Sequence, residues 1–184
     1  MRTLVANFFS SLDGVVDAPH TWHIPYVDEE VMGVVGSTFA GCDALLLGRI
    51  TYQEWEPHWS QQPSDGGMAD FINNTQKYVA STSLESTSWR NSTLLSGDLG
   101  TAVRELKEQP GGTINMSGSG TLVRSLLKEG LVDELRLLVH PVVVGTGKHL
   151  FEDGTEPIGM ALDDVQRFDT GVLLLTYRPA GEDR

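Results

Sequence analysis

Residues Ala44–Trp55 read ALLLGRITYQEW. Ala44–Leu47 is an uninterrupted apolar run of the length and composition of a buried strand. Gly48-Arg49 follows as the joint, and Thr51–Trp59 reads as a helix, with Trp55 and Trp59 one turn apart. A helix N-terminus already carries roughly half a positive charge, so Arg49 sits where a cation is locally unfavourable. Its position makes sense if an anion binds there. A strand with no polar face also needs helices on both sides of its sheet.

Upstream, Thr3–Phe9 is a second apolar strand, ended by the turn signal Leu12-Asp13-Gly14. Val15–Tyr26, with Pro19 and Pro25, reads as a loop. Asp28-Glu29-Glu30 then opens a helix running to about Ala40. Downstream, Gln61–Gly67 is a loop and Met68–Asn74 a short helix. Lys77–Ser81 and Ser92–Leu95 are strands. Leu99–Glu108 is a helix stopped before Pro110-Gly111-Gly112, Thr113–Met116 a strand, and Thr121–Glu129 a helix ended by Gly130. Glu134–Val144 reads as one long strand, and Met160–Phe168 with Val172–Arg178 as a hairpin around Asp169-Thr170-Gly171. Alternating strands and helices followed by a strand-rich end predict an α/β fold. Its sheet is mostly parallel, with antiparallel strands added at the C-terminal end. No composition shift marks a linker, so residues 1–184 are read as one domain.

The 184 residues carry a formal charge of -12, which disfavours nucleic-acid or anionic-membrane partners. No apolar run approaches membrane-spanning length. The N-terminus MRTLVANFFSSLDG is interrupted by Asn7 and Ser10 and is not read as a signal peptide. The single cysteine, Cys42, lies in an apolar context and reads as a buried small residue. A reducing, cytoplasmic setting is the expectation. His20 and His23 lack the partners of a metal site, and no GxSxG elbow is present.

Ligands of open parallel sheets bind at the carboxyl ends of strands, where helix N-termini point. Three such ends share a character here: Gly48-Arg49-Ile50-Thr51, Ser81-Thr82-Ser83 and Ser117-Gly118-Ser119-Gly120-Thr121. They offer small or hydroxyl side chains, backbone N–H groups and a guanidinium, an inventory suited to phosphate oxygens. The glycine turn is neither a dinucleotide GxGxxG, since Val123 stands at the last glycine, nor a Walker A loop, which needs a Lys. Taken alone, that turn reads as well as a tight turn with a Ser/Thr cap. One extended nucleotide would meet all three ends.

SLDG at Ser11–Gly14, DALLLGRITY at Asp43–Tyr52 and GLVDELRLLVHPVVVGTGKHLF at Gly130–Phe151 resemble, in order and spacing, the reductase domain of riboflavin biosynthesis. They also resemble its relative, the dihydrofolate reductase fold. The resemblance implies a three-layer αβα, dihydrofolate reductase-like architecture that binds NADPH. It implies that Gly48, Arg49 and Thr51 hold cofactor phosphates. Ser81-Thr82 would lie near the adenosine 2′-phosphate, and Gly118, Ser119, Gly120, Thr121 and Leu122 would wrap the pyrophosphate. Asn7, Phe9 and Trp22 would line the pocket near the nicotinamide, and Asp28 matches the carboxylate that assists protonation in dihydrofolate reductases. Riboflavin-pathway reductases usually place a Lys where this chain has Asn7. The zinc-deaminase signatures HxE and PCxxC are absent, so a stand-alone reductase-like domain is expected.

The expected activity is NADPH-dependent hydride transfer to a small heterocyclic substrate, as in 5-amino-6-(5-phosphoribosylamino)uracil reductase or dihydrofolate reductase. The alternative is a non-catalytic binding protein on the same fold. A phosphate-ester enzyme is a third reading, weakened by the lack of a carboxylate cluster for a metal. The resemblance also implies a homodimer formed through a sheet edge, with Leu135–Val144 as a candidate edge strand.

Overall fold

In a computed structural model, which describes residues 1–180, the strand that opened the sequence reading is β2 (Cys42–Gly48). Ala44, Leu45, Leu46 and Leu47 are each at most 1% exposed, so neither face of this strand meets water. The elements before it are β1 (Thr3–Ser11) and α1 (Glu29–Thr38). After it come α2 (Arg49–Trp59), α3 (Met68–Asn74), β3 (Gln76–Ala80), β4 (Ser92–Leu95), α4 (Leu99–Glu108) and β5 (Thr113–Ser117). Then follow α5 (Gly120–Lys128), β6 (Glu134–His140), β7 (Met160–Arg167) and β8 (Leu173–Pro179).

The strands form one sheet in the order β4-β3-β2-β5-β1-β6-β8-β7. The first six are mutually parallel; β8 and β7 join antiparallel as a hairpin. Side chains alternate across a strand, and the core divides accordingly. Ala44 and Leu46 of β2 join Leu4, Ala6 and Phe8 of β1 in packing on Val103 and Leu106 of α4 and on Val123, Leu126 and Leu127 of α5. Leu45 and Leu47 point the other way, onto Tyr52 of α2, Ile72 of α3 and Trp89. Val31 of α1 covers the same side further along, against Leu138, Phe168 and Leu174. Helices therefore cover both faces, giving a three-layer αβα arrangement.

Several boundaries differ from the sequence reading. The strand expected over Glu134–Val144 stops at His140. Pro141 has no N–H for the ladder, and the chain turns there, with Val142 N donating to the His140 carbonyl at 2.8 Å. The same strand is not a sheet edge. β6 lies between β1 and β8, so it offers no free edge for a partner; the edges of the sheet are β4 and β7. The segment Val15–Tyr26 contains two single turns of 3₁₀ helix, Pro19–Thr21 and Ile24–Tyr26. Sequence periodicity also gave no sign of Lys77, which is fully buried. Its ammonium closes the C-terminal end of α3 on the carbonyls of Ile72 (2.9 Å) and Thr75 (2.8 Å) and lies 4.5 Å from the Trp89 ring centre. Burial, with a smaller push from Arg90, holds its pKa down to about 8.

Candidate functional site

The chain runs outward from β1 to β4 and then returns, inserting β5 between β1 and β2 before crossing to β6 on the other side of β1. Strand order reverses there, and at such a point the connections diverge and leave a crevice. A cleft of about 700 Å³ lies there. It crosses the carboxyl ends of β3, β2, β5 and β1. Its walls include Asn7, Phe9, Gly48, Arg49, Thr51, Ser81, Thr82, Gly118, Ser119, Gly120, Thr121 and Leu122. The three strand ends singled out in the sequence thus share one cavity.

The two central turns are bound to each other. The Ser119 hydroxyl accepts from Gly48 N at 2.9 Å and meets the Thr51 hydroxyl at 2.7 Å. A Cβ on Gly48 would fall 2.8 Å from Ser119 Oγ, and one on Gly118 would fall 2.9 Å from Thr51 Oγ1. Glycine is needed at both positions because the turns touch, and Gly118 also adopts a left-handed φ of 68°. Ser119 is left-handed too, at φ 56°, a conformation that costs a non-glycine residue roughly 1 kcal/mol and persists only when neighbours hold it. Its hydroxyl bonds do so. Spent in this way, that hydroxyl does not cap α5, and α2 likewise starts without a side-chain cap. Both helix starts present uncapped N–H groups at the cleft.

Two guanidinium groups flank these starts. Arg49 is exposed and its Nη1 donates to Gln53 Oε1 at 3.0 Å. Arg124, one turn into α5, donates to the Leu150 carbonyl (2.8 Å), to Thr121 Oγ1 (3.1 Å) and to Glu152 (2.7 Å). The sequence reading passed over Arg124, although an arginine beside the glycine turn is the same kind of signal as Arg49. At the far end, Gly145–Leu150 folds back onto the segment after β1: Val16 N donates to the Lys148 carbonyl at 2.9 Å, and Val15 pairs with His149. This adds Asp17, Lys148 and His149 to the wall. Nothing local in the sequence marks that contact, since it joins residues more than a hundred positions apart.

Other named residues are placed differently. Asp28 is the N-cap of α1; its carboxylate accepts from Val31 N at 2.9 Å, and it is not part of the cleft wall. Its acidity serves the helix start rather than a pocket. Trp22 is likewise absent from the wall. Its Nε1 donates to the Asp17 carbonyl at 3.0 Å, and its ring packs edge-on against the buried His140, 5.4 Å between centres. Trp55 is half-buried and faces the cleft with one side. The Cys42 thiol donates to the Ala44 carbonyl, and burial pushes its pKa up to about 11, so it is a poor nucleophile.

Asn7 lies on the cleft floor, 8% exposed, and its Nδ2 donates to Asn115 Oδ1 at 2.9 Å. Phe9 contacts His23 and His140 behind it. No helix among the described residues is long and apolar enough to cross a membrane.

Comparison with known proteins agrees with this architecture. The family model of the RibD C-terminal domain matches residues 2–174. The uncharacterized protein YyaP of Bacillus subtilis (strain 168) is 29% identical over 182 residues, covering 96% of this chain and 94% of its own. A Shewanella sp. PV-4 structure assigned to riboflavin biosynthesis superposes with a TM-score of 0.73 at 17% identity, covering 97% of this chain and 99% of its own. Dihydrofolate reductase of Enterococcus faecalis, solved with NADP(H), gives 0.60 at 14% identity, with 97% of each chain covered. At these identities the structural likenesses establish a shared reductase-like fold. The match over nearly the whole length establishes more: this chain belongs to the RibD C-terminal domain family.

Proposed function

We propose that the cleft binds NADPH and that the protein is a reductase delivering hydride to a small heterocyclic substrate. The observation that carries the reading is the pair of uncapped helix starts, α2 and α5, locked together by Ser119 and opening on one cavity beside Arg49. Unpaired N–H groups and a guanidinium suit a pyrophosphate and a phosphate monoester. The fold shared with a dihydrofolate reductase solved with NADP(H) supports the same assignment.

In this reading Gly48, Thr51 and the turn Gly118–Leu122 hold the pyrophosphate. Arg49 with Ser81 and Thr82 meets the 2′-phosphate, and Asn7 and Phe9 line the reacting end. Bound NADPH supplies the hydride. The chain supplies alignment, with Phe9 and the segment Val16–Pro19 walling off water from the β1 end. The ionisable groups at that end are Asp17, Lys148 and His149, and a proton delivered by the protein comes from among them.

Titration of the purified protein with NADPH and with NADH, followed by quenching of Trp55, tests the reading. Clear preference for NADPH is expected; failure of both to bind overturns it. A second reading, a binding protein without turnover, is favoured by one observation: Asp28, the expected acid, is used as a helix cap. NADPH oxidation dependent on an added pterin or aminopyrimidine excludes that alternative.

A further inference from the structure

The segment Asp17–Val27 rests on the sheet without being hydrogen-bonded to it. Among the described residues, every hydrogen bond it makes stays inside the segment. Thr21, Trp22 and His23 N donate to the carbonyls of Ala18 and Pro19, and Tyr26 and Val27 N to those of His23 and Ile24. The Thr21 hydroxyl, Trp22 Nε1 and His23 Nδ1 likewise donate to Ala18, Asp17 and Pro19 carbonyls. The tie to the rest of the chain stops one residue earlier, at Val16 N on the Lys148 carbonyl. Ala18 holds a left-handed φ of 42°, which a residue with a side chain keeps only while its surroundings enforce it. What seats the segment is packing. Tyr26 and Val27 lie on the core around Val31. Trp22, His23 and Tyr26 close over the His140 ring, 5.4, 6.0 and 6.3 Å between centres, and Phe9 of β1 lies 5.6 Å from it.

His140 is fully buried at the end of β6. Its Nδ1 lies 2.9 Å from the Leu138 carbonyl, which can only accept, so the proton of the neutral ring sits on Nδ1. Nε2 is closed off and has no partner among the described residues. A neutral imidazole tolerates this. An imidazolium does not, because its second N–H lacks an acceptor and its charge lacks water. The surroundings supply no counter-charge. β1 presents Phe9 and the Ser10 carbonyl, β6 the Leu138 carbonyl, and the segment presents Tyr26 and His23. Of the acids on neighbouring elements, Asp28 caps α1 and Asp169 in the β7–β8 turn is exposed; neither bonds the ring. Burial holds the His140 pKa below its ordinary value, the two carbonyls offset part of this, and His23 adds to it. Strands β1 and β6 are fixed in the sheet, so water reaches the ring when the segment lifts. We propose that His140 is a pH-sensitive latch: neutral, it seats Asp17–Val27, and its protonation releases the segment and with it the stretch Asp17–Pro19 that walls the cleft. The latch goes beyond the NADPH reading and stands whichever ligand the cleft takes.

Amide hydrogen exchange of the purified protein, followed by mass spectrometry from about pH 8 to about pH 5 and corrected for the intrinsic effect of pH, tests the latch. Single helical turns do not persist off the sheet, so lifting exposes the amides of the segment. The closed form binds fewer protons than the open one, in which His140 returns to about 6.5. Opening should therefore grow by up to about tenfold per pH unit below that value, while α4 and α5 stay protected. In His140→Phe, which keeps an aromatic ring and does not titrate, exchange of the segment should be independent of pH. Corrected exchange that stays constant with pH in the unmodified protein overturns the proposal. A rise that survives in folded His140→Phe overturns it too, because another group is then titrating. If His140→Phe does not fold, an NMR titration of the unmodified protein decides. A His140 ring whose shifts move with the midpoint of exchange supports the latch, and a ring that titrates at about 6.5 while the segment stays protected overturns it.

Discussion

Helices α1 and α4 begin differently from α2 and α5. The first two start at Asp28 and Asp98, whose carboxylates accept from Val31 N and Thr101 N, each at 2.9 Å. The protein thus supplies its own negative charge to those N-termini. The other two start at Gly48 and Ser119 without a side-chain cap, and the hydroxyl that would cap α5 is turned sideways to bind α2. An Asp at either of these starts would neutralise the helix end and repel a phosphate. One sequence therefore uses both ways to satisfy a helix N-terminus, and of these four helices the two uncapped ones open on the cleft.

The largest expected effect comes from forcing the two cleft turns apart. Gly118→Ala places a Cβ against Thr51 Oγ1 and asks alanine to adopt a left-handed backbone, which costs roughly 1–2 kcal/mol by itself. We expect thermal unfolding to register a loss of about that size and NADPH affinity to fall by about a hundredfold. Unchanged affinity would mean that the glycine turn serves the fold alone. Next in size is Arg49→Ala. A charge-assisted bond to a phosphate is worth about 1.5–3 kcal/mol, so NADPH binding should weaken by at least about tenfold while NADH binding changes little. Equal losses for both would remove Arg49 from the 2′-phosphate.

The capped helices should answer in the opposite way. Asp98→Ala is expected to lower stability in denaturant unfolding, as lost caps do, with NADPH affinity unaltered. A loss of affinity without loss of stability would break the distinction between the two kinds of helix start. The smallest effect concerns pH. The hydrogen bonds from Ser11 and from Val144 N and Gly145 N hold the Asp13 carboxyl down to about 2, and the Thr101 N–H holds that of Asp98 below its ordinary value. A depressed native pKa gives stability that is present above the unfolded value near 3.9 and lost as pH falls through the native one. Melting temperature should therefore drop between about pH 4 and pH 2, and Asp13→Asn should flatten part of that drop.

Much of the fold was legible because it follows from short-range rules. Met68–Asn74, Ser92–Leu95 and Leu99–Glu108 have the predicted boundaries, since periodicity, turn residues and breakers act within a few positions. The strand ends at Gly48-Arg49, Ser81-Thr82 and Gly118–Leu122 were legible for the same reason: each pairs a buried apolar run with small and hydroxyl residues. Asp28, which caps α1, shows the limit of such rules, because a carboxylate beginning a helix looks the same in sequence whether it caps that helix or faces a pocket. The surroundings of Trp22 were not legible, because what a loop residue packs on depends on what the loop folds over, and here that is His140.

What the sequence determined by itself was the succession of strands and helices, the double-sided burial of β2 and the chemistry at each strand end. Whether those ends meet was decided by strand order, which is a property of the whole sheet. Insertion of β5 between β1 and β2 brings Ser119 against Gly48 across 71 positions, and Asn115 against Asn7 across 108. Hydrogen bonds between such distant residues leave no periodic trace in the chain, yet they orient the Ser119 hydroxyl and the Asn7 carboxamide. Local sequence sets which groups are available; the packing of the sheet sets which of them are already satisfied and which are left facing the cleft.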